Sequence, residues 1–142
     1  MIKDNLSAIL SSIPSEVTLV AVSKTKAVDR IKEAYESGQL DFGENKVQEM
    51  VEKAALLPKN IRWHMIGHLQ RNKVKYIAPF VSLIQSVDSS RLLNEIEKQG
   101  KKNERVIDCL LQVRIAQEET KFGLTYKAVS YTHLTLPTIR EV

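Results

Sequence analysis

Short apolar runs alternate along the chain with segments whose apolar residues recur every three or four positions. The runs are typical of buried strands, and the recurring spacing is typical of helices packed on one side. The pattern predicts strands at residues 17–22, 40–43, 61–66, 81–87 and 106–115. It predicts helices at residues 6–10, 28–37, 45–57, 71–78 and 89–100. Strands separated by helices in this way favour parallel βα units.

Polar residues and glycines predict where several helices begin and end. Asn45 is placed to cap the third helix, with Gln48 three residues later as in a capping box. Asp88 or Ser89 is placed to cap the last helix, and Gly100 to end it.

Two architectures fit five βα units: a doubly wound sheet and part of a (βα)8 barrel of the TIM type. A closed barrel needs at least ~200 residues, and the chain has 142. The segment from Ser130 onward is rich in threonine and has no helical period where a helix is due. We therefore expect an α/β fold in which residues 1–129 form a partial barrel and residues 130–142 form a tail unrelated to it.

Composition limits the possible classes of protein. Cys109 is the only cysteine, which excludes an internal disulfide and suits a reducing compartment. It lies in an apolar run, where a buried packing role is expected. The N-terminus lacks the apolar core of a signal peptide, and no apolar stretch is long enough to span a bilayer. We expect a cytoplasmic protein without a metal site.

The net charge of +4 is unevenly distributed. Residues 59–77 hold five basic residues and no acidic one, while residues 1–58 hold seven basic and nine acidic residues. A basic patch at residues 59–75 could bind anions or nucleic acid. Aromatic residues make up only 6% of the chain, which leaves little to stack on bases. A solvated helix face is therefore preferred to a nucleic-acid interface.

Lys24 is the strongest chemical candidate, because only Ser23 separates it from the apolar run of the first predicted strand. Ligands of α/β folds gather where the carboxyl ends of strands open into loops. A partly desolvated lysine there keeps a neutral amine that can form a Schiff base with a carbonyl compound. The alternative is that Lys24 and Lys26 are solvated charges at a strand end.

Several motifs occur together in one order. They are Ala21-Val22-Ser23-Lys24-Thr25-Lys26, Phe42-Gly43-Glu44-Asn45, Trp63-His64, Ile66-Gly67-His68-Leu69-Gln70 with Asn72-Lys73, and Lys121-Phe122-Gly123-Leu124. Over roughly residues 1–128 the chain resembles the pyridoxal phosphate homeostasis protein family, which has the alanine-racemase-like N-terminal-domain fold.

The resemblance implies a barrel that carries pyridoxal 5′-phosphate (PLP) as a Schiff base on Lys24 rather than on Lys26. It implies a role in intracellular PLP, or vitamin B6, homeostasis, with PLP-dependent apoenzymes as candidate recipients. Catalysis is not implied. The alternative is a PLP-dependent amino-acid racemase, which requires a second acid–base group and a further domain that this sequence does not show.

Four other positions are weaker candidates for contact with the cofactor. Asn45 follows the second strand and could bind the cofactor or cap a helix. Gly67, like Gly43, could let the backbone approach a ligand or form a turn. His64 lies within a strand, where a hydrogen-bonded core histidine is preferred to a ligand. Lys121 could attract a phosphate or remain a solvated loop residue.

Two features depart from the family pattern. Arg114 stands where the family commonly has a small or amide residue. The C-terminal half, which in this family supplies the last strands and a Ser- and Gly-rich phosphate cradle, is not evident. We therefore interpret the chain as a C-terminally shortened form.

Overall fold

The structure is a computed structural model that describes residues 1–115 and the backbone of residues 139–141. The helices are α1 (Ile2–Ser12), α2 (Val28–Glu36), α3 (Val47–Leu56), α4 (Val74–Ile77) and α5 (Ser90–Lys102), with a 3-10 turn at Arg71–Lys73. The strands are β1 (Ala21–Val22), β2 (Asp41–Glu44), β3 (Arg62–Met65), β4 (Leu83–Val87), β5 (Asp108–Leu111) and β6 (Ile139–Glu141).

The strands form one parallel sheet in which each strand pairs with the next in sequence, from β1 to β6. A doubly wound sheet reverses its strand order at a switch point, whereas a (βα)8 barrel keeps sequential order. The described residues show no reversal, so the prediction of a partial barrel is confirmed. Four complete strand–helix units and a fifth strand lie within residues 1–115.

The hydrophobic core lies between one face of the sheet and the helices. Side chains alternate between the two faces of a strand, and Phe42, Trp63 and Ile84 all point to the helix side, where each is at most 2% exposed. Cys109 belongs to the same core, which confirms its expected packing role. The opposite face, the interior side of a barrel, carries His64 on β3, paired in register with Gly43 of β2 and Leu83 of β4.

Two of the predicted helix boundaries are wrong. Lys46, not Asn45, is the residue before α3, its backbone is extended, and no side chain caps the helix. Helix α5 continues through Gly100 to Lys102. A Cβ at Gly100 would lie 2.8 Å from the carbonyl oxygen of Arg105, so this glycine permits close packing of the following turn. The Ser89 cap is confirmed, since its hydroxyl accepts the N–H of Leu92 at 3.1 Å.

The C-terminal tail has one described element. Strand β6 pairs in parallel with β5, with Cys109 opposite Ile139. The boundary between residues 129 and 130 stays a prediction. No helix among the described residues combines the length and apolar character that crossing a membrane requires.

Candidate functional site

The carboxyl ends of the first three strands lie at one edge of the sheet, because the strands are parallel and adjacent. Lys24 follows β1, Asn45 follows β2 and Gly67 follows β3. The fold therefore brings three of the predicted site residues to one edge. Lys121 lies outside the described residues.

Lys24 occupies a tight turn. The N–H of Lys26 donates to the carbonyl oxygen of Ser23 at 3.1 Å, which makes Lys24 and Thr25 the two central residues. Thr25 has a φ of 64°, in the left-handed region that β-branched residues rarely adopt. This is the turn position at which a positive φ ordinarily selects glycine. The backbone at Thr25, the residue after Lys24, is therefore strained and must be held by its surroundings.

A buried charge cluster lies directly behind this turn. Lys53 of α3 is 6% exposed, and its Nζ lies 2.9 Å from Glu44 Oε2 and 2.7 Å from Glu49 Oε2. The same Nζ donates to the carbonyl oxygen of Ser23 at 2.7 Å. The Ser23 hydroxyl donates to Glu44 Oε2, and the N–H of Thr25 donates to Glu49 Oε2 at 2.7 Å.

Glu49 is ionised in this arrangement. The hydrogen bond from Lys53 lowers the pKa of its carboxyl group, burial opposes this, and the N–H of Thr25 adds to the lowering. The sequence carries a signal for this cluster that the predicted site did not include. Met50 and Lys53 share the inward face of α3 by their spacing, and the buried Leu57 follows the helix end, so a lysine stood where an apolar residue was due.

The two lysines of the first motif differ in their surroundings. Lys24 is exposed, so the expected partial desolvation is not seen in the structure, and among the described residues its amine has no hydrogen bond or ion pair. Lys26 lines a cavity of about 160 Å³ together with Ile31, Ala34 and Phe42, which belong to the helix side of the sheet. Lys26 is exposed as well, and its amine likewise has no hydrogen bond or ion pair within the described part of the chain. The two lysines therefore differ only in that Lys26 lines this cavity.

Asn45 and Gly67 touch each other across the β2 and β3 ends. A Cβ on Gly67 would lie 2.6 Å from the carbonyl oxygen of Asn45 and 2.8 Å from its Cα. Gly67 thus permits a close approach of two loops, and its carbonyl oxygen accepts the Ser86 hydroxyl at 2.5 Å. The amide side chain of Asn45 makes no hydrogen bond within the described part of the chain, so it too is available to a ligand.

A cavity of about 580 Å³ adjoins Asn45. Lys46, Gln48, His68, Lys73 and Tyr76 also line it. Its size is that of a small-molecule pocket. Lys24 is not one of its lining residues, so the cavity lies next to the predicted site without containing the reactive amine.

His64 belongs to a hydrogen-bonded cluster on the interior face of the sheet. Its Nε2 lies 2.9 Å from Asp41 Oδ1 and its Nδ1 lies 3.2 Å from Gln85 Nε2. Arg62 donates to both carboxylate oxygens of Asp41. Burial raises the pKa of Asp41, but hydrogen bonds from Arg62 and His64 outweigh it, so the pKa lies below its ordinary value. Both ring nitrogens of His64 thus have hydrogen-bond partners, which favours a hydrogen-bonded core histidine over a contact with the cofactor.

The basic segment 59–75 is partly committed to internal contacts. Arg62 pairs with Asp41, and Lys59 donates to the carbonyl oxygen of Ala54 at 3.1 Å. The amines of Lys73 and Lys75 lie 5.8 and 5.2 Å from the ring centroid of Tyr76. Within residues 1–115, no group of three or more His, Cys, Asp or Glu side chains could hold a metal ion.

Comparison with known proteins agrees with this architecture. The family model for the alanine racemase N-terminal domain matches residues 1–136. A pyridoxal phosphate homeostasis protein of Aquifex aeolicus is 45% identical over 107 residues, which are 75% of this chain and 47% of the relative. The chain spans about half the length of the curated relatives that it matches.

Two solved structures extend the comparison. The structure of PipY from Synechococcus elongatus PCC7942 with PLP bound has a TM-score of 0.83 at 34% identity, covering 91% of this chain and 60% of PipY. Alanine racemase from Bartonella henselae, with covalently bound pyridoxal phosphate, has a TM-score of 0.71 at 16% identity, covering 91% of this chain and 36% of that enzyme. The second likeness concerns the fold alone.

The motifs that suggested the pyridoxal phosphate homeostasis proteins thus led to the relatives that the comparisons find, and the resemblance is confirmed. The match to the family model covers nearly the whole chain. The chain belongs to the alanine racemase N-terminal domain family.

Proposed function

We propose that this chain binds PLP as a Schiff base on Lys24 and acts in intracellular PLP homeostasis. The observation that carries the proposal is the state of Lys24. Within residues 1–115 its amine is exposed and has no hydrogen bond or ion pair, and it lies in a turn that the structure holds in a strained conformation. The relatives named for PLP homeostasis and the PLP-bound PipY structure support the same ligand.

The residues at the strand ends fit the aldehyde side of this cofactor. Bound PLP supplies an aldehyde that condenses with a primary amine, and its carbonyl oxygen leaves as water with both amine protons. Lys24 offers the amine, and the uncommitted amide of Asn45 can donate or accept a hydrogen bond beside it. Gly67 keeps the backbone of Asn45 close to the β3 end.

The cytoplasm as the location, and PLP-dependent apoenzymes as recipients, belong to the same proposal. They follow from the single cysteine and from the resemblance. Catalysis is not part of it, because a racemase needs acid–base groups on both faces of its substrate. On the described interior face of the sheet, both ring nitrogens of His64 are hydrogen-bonded to Asp41 and Gln85, so His64 does not offer such a group.

Absorption spectra of the purified chain mixed with PLP test the proposal. The wild type and Lys26→Ala are expected to show the absorbance band of the protein-bound Schiff base, and Lys24→Ala is expected to lack it. Retention of the band by Lys24→Ala, or its loss only in Lys26→Ala, would refute the assignment.

A further inference from the structure

We propose that Lys53 and Glu49 are positioning residues that hold the Lys24 turn in the conformation in which its amine meets PLP. This inference rests on the proposed function of Lys24. It concerns residues that never touch the cofactor and act through the backbone on either side of Lys24.

The contacts converge on the two neighbours of Lys24. On one side, Lys53 donates to the carbonyl oxygen of Ser23 at 2.7 Å. On the other side, Glu49 accepts the N–H of Thr25 at 2.7 Å. Lys53 and Glu49 are themselves paired, one turn apart on α3. Side chains of one helix thus hold the backbone immediately before and immediately after Lys24.

Strain in the turn shows why such anchors are needed. Thr25 keeps a φ of 64° although it is β-branched. A conformation of this kind persists only where its surroundings over-determine it, and it is concentrated at functional sites. Without the anchors the backbone is free to relax, and the amine of Lys24 loses its fixed direction.

The burial of the cluster points to positioning rather than to stability alone. Glu44 is fully buried and Lys53 is nearly so. Removing two charges from water is costly, and a well-packed apolar pair often stabilises a protein as much or more. The ammonium of Lys53 uses its three donors on Ser23, Glu44 and Glu49, all of them next to the turn or part of it.

Glu49→Ala is the decisive variant. Its side chain is 24% exposed, whereas removing Lys53 would leave the buried carboxylate of Glu44 without its counter-ion. Glu49→Gln keeps an oxygen for the N–H of Thr25 but loses the charge. Glu52→Ala removes an acidic group from the exposed face of the same helix and controls for net charge. Asp41→Asn disturbs a different buried cluster and controls for stability.

Three measurements follow on the full 142-residue chain: PLP affinity by titration, the distribution of label between Lys24 and Lys26 after borohydride reduction, and hydrogen exchange of the Thr25 amide without PLP. We expect Glu49→Ala to bind PLP about tenfold more weakly, as loss of a charge-assisted hydrogen bond predicts. We also expect it to lose selectivity for Lys24 and protection at Thr25. Glu49→Gln should lie between Glu49→Ala and the wild type, and Glu52→Ala should behave as the wild type.

The outcomes separate this inference from the proposed function. Labelling of Lys24 in the wild type, combined with unchanged affinity, selectivity and Thr25 exchange in Glu49→Ala, would overturn the positioning role alone. An equal loss of affinity and selectivity in Asp41→Asn would also overturn it, because general destabilisation would then explain the effect. Absence of label on Lys24 in the wild type would overturn the proposed function and, with it, the positioning role.

Discussion

Arg62 holds the carboxylate of Asp41 with two hydrogen bonds, from Nε to Oδ1 at 2.9 Å and from Nη2 to Oδ2 at 2.7 Å. The pair joins the first residues of β2 and β3, which are opposite each other in the register of the sheet. Asp41 also accepts from His64, so one buried carboxylate ties together the interior face of two strands.

The first prediction concerns acid stability. The pKa of Asp41 is lower in the folded chain than in the unfolded chain. The contribution of Asp41 to the unfolding free energy is therefore complete above its pKa in the unfolded chain, about 3.9. This contribution is lost as the pH falls through its pKa in the folded chain. We expect Asp41→Asn to cost about 1–3 kcal/mol of unfolding free energy at pH 7. The difference in unfolding free energy between Asp41→Asn and the wild type should be smaller at pH 3 than at pH 7.

Urea unfolding of both proteins at the two pH values measures this difference. Glu49 also titrates from a lowered pKa, but it is present in both proteins and cancels in the comparison. A difference that stays constant or grows on acidification would contradict the assigned role of Asp41.

The second prediction concerns Gly67. A Cβ there would meet the backbone of Asn45 at 2.6 to 2.8 Å, and backbone cannot move aside as a flexible side chain can. We expect Gly67→Ala to lower the unfolding free energy by about 1–3 kcal/mol and to weaken PLP binding by displacing Asn45. Gly38→Ala is a control for loss of a glycine, since nothing lies within 4 Å of its Cβ position, although its φ of 106° brings strain. Full PLP affinity in Gly67→Ala would show that the Asn45 contact is irrelevant to the site.

The third prediction concerns Cys109. Burial, with a smaller effect from the charge of Asp108, raises the pKa of its thiol to about 11. The thiolate, which is the reactive form, is therefore scarce at pH 8, and the sulfur is shielded. We expect Ellman's reagent to react slowly with the native chain and rapidly after addition of urea. Rapid stoichiometric reaction of the native chain would contradict the core placement of Cys109.

The fourth prediction concerns the open edge of the sheet. Among the described residues β1 pairs only with β2, and the chain matches about half the length of its relatives. Unpaired strand edges favour association, and barrel phosphate sites use the loops after the seventh and eighth strands. We expect a chimera whose residues 130–142 are replaced by the C-terminal part of the Aquifex aeolicus relative to unfold at higher urea concentration and to retain PLP longer during dialysis. If the chimera and the 142-residue chain had equal urea midpoints and lost PLP at the same rate, this expectation would be wrong.

The fold was largely predictable, because it follows from patterns that the sequence states directly. Alternating apolar runs and helical spacing identified five parallel βα units, fewer than the eight of a closed barrel. Helix ends were less predictable, since tertiary contacts decided them. Asn45 packs against Gly67 instead of capping α3, and Gly100 permits the close approach of the Arg105 backbone, which follows α5, instead of ending the helix.

The site was only partly predictable. Lys24 was found because it ends an apolar run within a recognisable motif. The strained φ of Thr25 and the cluster behind it were missed, because both depend on α3 packing against the first two strand ends. The available signal was Lys53, a lysine on the inward face of an amphipathic helix. That signal identifies the cluster only when the partners of Lys53 are known.

Chemical trapping gives the most direct test of whether Lys24 carries PLP. The 142-residue chain is mixed with PLP, reduced with borohydride, digested and mapped by mass spectrometry. We expect a stable phosphopyridoxyl label predominantly on Lys24. A label confined to Lys26 or Lys121, or no label on any lysine, would contradict it.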